Sequence, residues 1–152
     1  MTDNWVAGSG VGLTWTAAFG TEFTTTALAN GNAILSSVSI TNGTALDKYA
    51  DLSIVLASIT PVAPNFLGIY LYPLNQDGTH YGDGRFGSAA AGPPTAGYYV
   101  GAVGLVAAVG AQYGVLSTIV LPPGTFKFVI YNQAGVSTAS SGNTAYYRTY
   151  NP

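Results

Sequence analysis

Apolar and polar residues alternate with a period of two along most of this chain, the spacing of a strand with one face on a core. In residues 11–19, Val11, Leu13, Trp15, Ala17 and Phe19 share one face, opposite Gly12, Thr14, Thr16 and Ala18. The apolar set is the expected core face. Residues 33–41 set Ile34, Ser36, Val38 and Ile40 against Leu35, Ser37 and Ser39, then reach Asn42-Gly43, a dipeptide that tolerates positive φ and turns the chain. Residues 51–58 form a third run, followed by a loop holding Pro61 and Pro64. In residues 66–72 both faces are apolar or aromatic, with Leu67, Ile69 and Leu71 against Phe66, Tyr70 and Tyr72. This run is expected to be a central strand, covered on both faces or meeting a partner on one.

Four more runs follow, at residues 98–106, 115–121, 125–131 and 144–150. Pro122-Pro123-Gly124 between the second and third supplies fixed φ and then a reversal, so the two are expected to form a hairpin. Helical periodicity is poor throughout. Only residues 44–50 suit a turn or two of helix, with Thr44 as N-cap and Asp47 in the first turn. Eight evenly spaced strands without helical crossovers predict an all-β fold, an antiparallel two-sheet sandwich of jelly-roll type, formed by residues 11–152 as a single domain.

Two segments break the regularity. Residues 1–10 read as a flexible N-terminal arm with one large anchor, Trp5. A tryptophan there either docks in a partner or folds back on its own sandwich edge. Residues 73–97 are rich in glycine and proline, and a connection beyond about 15 residues is usually functional or disordered. It holds the sole histidine, His80, and Tyr81, Arg85 and Phe86, types enriched at protein interfaces.

Charge changes the picture most. Lysine and arginine number 4 and aspartate and glutamate 6, so 7% of residues are charged where a soluble domain has about 25%. With 48% apolar residues and 20 glycines, the surface must be covered by small polar residues and tyrosine, or by another protein. The expectation is an assembly subunit, a homotrimer. Four scattered basic residues make no stripe for nucleic acid. The longest apolar stretch, residues 98–111, is interrupted by glycines and short of the ~20 residues of a spanning helix, so no membrane partner is expected. The absence of cysteine removes disulfides, thiolate metal sites and thiol nucleophiles. The opening Met1-Thr-Asp-Asn-Trp lacks the pattern of a secretory leader, so use without export is expected.

Candidate chemistry is sparse. Asp77, His80 and Asp83 lie within seven residues, as metal ligands would, but Asp77-Gly78 and Asp83-Gly84 are ordinary turn dipeptides and turns explain them more simply. Asp47, Lys48 and Asp51 read as the solvated start of a strand rather than a ligand cluster. Asn42-Gly43-Thr44 matches a glycosylation acceptor and is more simply a turn. His80 on a glycine-rich loop has nothing to orient it for a triad, no G-x-S-x-G elbow is present, and Glu22 is the one glutamate. The chain is therefore expected not to be an enzyme, and to need no metal or cofactor.

Residues 46–58 (LDKYADLSIVLAS), 69–84 (IYLYPLNQDGTHYGDG) and 120–135 (VLPPGTFKFVIYNQAG) resemble small virion proteins of tailed bacteriophages, closest in kind to capsid decoration, or cement, proteins. The likeness spans roughly residues 40–150 and consists of framework patterns. It implies a jelly-roll sandwich that trimerises on the outside of the head, binds the major capsid protein and stabilises the shell, assembled in the host cytoplasm. It carries no reaction. A tail or fibre assembly protein and a carbohydrate-binding β-sandwich module are the alternatives. Capsid contact is expected first at Trp5, with Tyr81, Arg85 and Phe86 as the rival site.

Overall fold

A computed structural model describes residues 14–84 and 90–151. Among them, ten strands form two antiparallel sheets. The strands are β1 (Thr16–Ala17), β2 (Asn32–Leu35), β3 (Ile40–Asn42), β4 (Tyr49–Ile59), β5 (Phe66–Pro73), β6 (Ala90–Ala91), β7 (Tyr99–Gly104), β8 (Gly110–Val120), β9 (Gly124–Gln133) and β10 (Thr144–Tyr150). One sheet has the order β1-β10-β4-β8, the other β6-β2-β9-β5-β7, with β3 also on β9. β2 and β3 pair with opposite ends of β9 and so act as one broken strand. With the two-residue β6 set aside, eight strands remain, distributed between the sheets as in a jelly roll.

Inward side chains of the two sheets build one core. Leu52, Ile54 and Leu56 of β4 meet Leu67, Ile69 and Leu71 of β5 and Phe128 and Ile130 of β9. The period-two reading of β5 therefore gives its core face correctly, and the runs at residues 51–58, 125–131 and 144–150 fall on β4, β9 and β10. β5 is central, between β9 and β7. Its opposite face is also buried: Tyr70 and Tyr72 join Ala33, Leu35 and Val129 in a second cluster, against which Tyr81, Tyr98 and Tyr131 pack.

Several expectations are corrected. Residues 115–121 and 125–131 are not a hairpin, because β8 pairs with β4 while β9 pairs with β2, β3 and β5. Pro122-Pro123-Gly124 is a corner between sheets, with Gly124 at φ +130°. Two prolines cannot donate the ladder hydrogen bonds a hairpin would use there. In the first run, alternation fails: Trp15 and Ala17 are exposed while the neighbours Ala18 and Phe19 are both buried. The chain leaves β1 to enter a four-residue helix, α1 (Thr21–Thr24), whose Phe23 packs on Phe19 with ring centroids 5.4 Å apart. The run at 33–41 breaks at buried Ser36, whose hydroxyl donates to the Val38 carbonyl and accepts from the Phe128 amide.

Residues 44–50 contain no helix. Instead the Asn42 side chain bonds both the N–H and the C=O of Asp47, each at 2.7 Å, closing the loop before β4. An asparagine amide mimics a peptide group, so it competes with local helix formation. Asn132 and Asn143, both fully buried, brace other loops in the same way. Asn132 donates to the Leu28 and Val136 carbonyls, and Asn143 to those of Phe23 and Ala139.

Candidate interaction surface

Trp5, Arg85 and Phe86 lie outside the described residues. Tyr81 is half-buried, forms a bridge with Leu74, shares a 3.0 Å hydrogen bond with Ser39 and stacks under Lys127 Nζ at 4.9 Å. Its ring helps to cover the outer face of the larger sheet. The segment after β5 is thus part of the fold. Residues 74–84 fold back on the end of β5, where the Gly82 amide donates to the Pro73 carbonyl. Gly82 sits at φ +55° against the Tyr72 ring, where any Cβ would overlap it. Further on, β6 pairs with β2, and a short 3-10 turn, Ala96–Tyr98, leads into β7.

Asp77, His80 and Asp83 do not converge. Asp77 Oδ1 accepts the Thr79 and His80 amides at 2.9 Å, and its Oδ2 lies 2.6 Å from His80 Nδ1. Asp83 turns to the Thr95 and Tyr72 hydroxyls. The amides of His80 and Thr79, with the His80 ring, hold the Asp77 carboxyl down at about 2. A carbon-detected NMR titration should give Asp77 a midpoint near that value. A midpoint close to the ordinary 3.8 would contradict this turn geometry.

Asp47 and Asp51 are not a solvated strand start, because both are buried. Asp51 on β4 takes the Arg148 guanidinium of β10 (2.8 and 2.9 Å), the Tyr150 hydroxyl (3.0 Å) and the Thr118 amide of β8 (3.0 Å). Burial raises its pKa, but the hydrogen bonds from Thr118, Arg148 and Tyr150 and the charge of Arg148 outweigh that and hold it below its ordinary value. Opposite Asp51 the β8 register slips between Leu116 and Ile119, and Thr118 sits at φ +61°, a rare conformation for a β-branched residue. The outer face of Arg148 lies 4.6 Å from the Trp15 ring. Glu22 is likewise spent internally, on the Gly20 and Ser37 amides.

Asp51, Arg148, Glu22 and Asp77 are thereby engaged within the fold. No residue from Phe86 to Phe126 is charged, and this run supplies β7 and β8, the adjoining edge strands of the two sheets. Their packing depends on missing side chains. A Cβ on Gly114 would overlap Val103, and one on Gly101 would come within 2.8 Å of Leu116. At one end, the turn between β7 and β8 presents Val106 (69% exposed) and Val109 (79%). Buried Gln112 braces it, accepting from the Val106 amide and donating to the Ala108 carbonyl. Along β8, Tyr113 is 74% and Val120 67% exposed, with Val115 between them. At the far end an apolar groove of about 420 Å³ is lined by Tyr98, Tyr99, Val120, Pro122 and Phe126.

No family model, curated protein or solved structure matches this chain. The surface must be read from its own chemistry. Sequence reasoning missed these residues because it weighed charge over the whole chain. The signal was local, a charge-free run that coincides with two edge strands. Edge strands are normally blunted by lysine, proline or cover. β8 has neither residue, and the four-stranded sheet it borders shows Trp15, Ala17 and Tyr146 on its outer side. Among the described residues, no helix is long and apolar enough to cross a membrane.

Proposed function

We propose that this chain is a structural virion subunit, a decoration protein that seats on the outside of a tailed-phage capsid and stabilises the shell. The observation that carries its role as an assembly subunit is the uncharged, apolar side formed by β7, β8 and the turn between them. Braced apolar residues on a rigid edge lose little entropy on docking. The virion setting rests on the sequence resemblance at residues 46–58, 69–84 and 120–135, which fall on β4, on β5 with its folded-back loop, and on β9. The action is passive: binding across neighbouring capsid subunits favours the correctly spaced shell, and many weak copies add their effects.

The sugar-binding alternative finds less support. Tyr70 packs edge-on against Tyr99 and Tyr72 against Tyr98, with ring centroids 5.3 and 4.8 Å apart, and the groove is lined without a carboxylate or amide side chain. The test is binding of the labelled chain to isolated heads and isolated tails of the phage that encodes it, imaged by negative stain. Saturable binding to heads, with a higher temperature of DNA release, is expected. Binding to tails alone would favour the tail reading, and binding to neither would overturn the proposal.

A further inference from the structure

We propose that β8 is a two-fold interface, pairing edge to edge and antiparallel with β8 of a second copy. The inference rests on the reading of the chain as an assembly subunit, and it names the surface and the symmetry by which copies meet. Composition predicts that copies associate, with a trimer as the first expectation. The geometry points instead to a closed pair.

The first ground is the register. β8 pairs with β4 without interruption over residues 112–116 only, with a shift on either side. The centre of that regular stretch is Gly114. A two-fold through Gly114 sets Tyr113 of one copy against Val115 of the other, twice, on the outer face. Aromatic and β-branched residues directly opposite one another are favourable cross-strand pairs. The two four-stranded sheets then continue into one.

The second ground is the disposition of knob and groove. β8 is 11 residues long, about 36 Å at ~3.3 Å per residue. The braced turn with Val106 and Val109 stands at its start and the groove beside Val120 at its end. An antiparallel pair brings each start toward the partner's end, so the turn of each copy comes to the end of the strand where the groove of the other lies. An isologous contact requires such self-complementarity. The third ground is charge: from Phe86 to Phe126 there is none to desolvate or to meet its like across the dyad.

Charge-swapped variants test it. The pair Tyr113→Lys with Val115→Lys and the pair Tyr113→Glu with Val115→Glu alter exposed positions only, and unchanged circular dichroism will show that each folds. By equilibrium sedimentation the wild-type chain should be a dimer, and each double variant should be monomeric, its association weakened about a hundredfold or more. Mixing the two variants should restore a heterodimer, because lysine then faces glutamate at both positions. A wild-type monomer or trimer, double variants that still dimerise, or a mixture that stays monomeric would each overturn the interface. None of these outcomes involves the capsid, so head binding stands or falls separately.

Discussion

Replacing Asp51 with alanine is expected to destabilise the fold by about 3 kcal/mol, the scale of removing one partner from a buried ion pair. The loss has three parts. Arg148 keeps its charge in a half-buried setting, the Tyr150 hydroxyl loses its acceptor, and the Thr118 amide is left on a strained bulge without the carboxylate that receives it. Asp51→Asn keeps an acceptor and should cost less. The pH dependence has a definite sign. The folded carboxyl lies below its ordinary 3.8, so its stabilisation is fully present above that value and is lost as pH falls through the folded pKa. Urea denaturation should therefore show the gap between wild type and Asp51→Ala narrowing below about pH 4. A gap that is small at pH 7, or unchanged into acid, would remove this network from the account.

Gly114→Leu should cost a similar amount, about 2–3 kcal/mol, by overpacking. The new side chain points between the sheets, where even a Cβ overlaps Val103. β7 must then move away from β8. For a domain of this size that corresponds to a fall in melting temperature of roughly 5–10 °C. The mutation also spreads the two edges that present Tyr113 and Tyr99, so self-association should weaken along with stability. Thermal melts read by circular dichroism would check it, and a melting temperature within a degree of wild type would contradict the glycine clasp.

The strands legible in the sequence were those carrying the long apolar and aromatic runs that build the core: β4, β5, β9 and β10. Period two says which face is buried and nothing about which sheet a strand joins. Hence residues 115–121 and 125–131 looked like a hairpin while their strands lie in opposite sheets. The first half of β8 was invisible because Gly110, Gln112 and Gly114 have poor strand propensity. Gly114 is there for the approach of Val103, and Gln112 for the turn it braces, both tertiary reasons. Asp51 looked like an exposed charge because its partners, Thr118, Arg148 and Tyr150, are 67 to 99 residues away.

The interaction surface was legible only as a composition. Low charge foretold that some face would be covered, and residue type alone nominated Trp5, Tyr81, Arg85 and Phe86. Tyr81 is engaged within its own sheet cover, and the other three lie outside the described residues. The exposed apolar residues are aligned by the register of β8, which only the three-dimensional pairing with β4 reveals.

The central claim is that the uncharged edge is covered when copies meet. Hydrogen exchange of the β8 amides, measured on the same chain at dilute and at concentrated conditions, tests it most directly. Amides of residues 110–116 should exchange more slowly as concentration rises, while those of β9, already paired with β5 on one side and with β2 and β3 on the other, stay unchanged. Exchange along β8 that is the same at every concentration would contradict it.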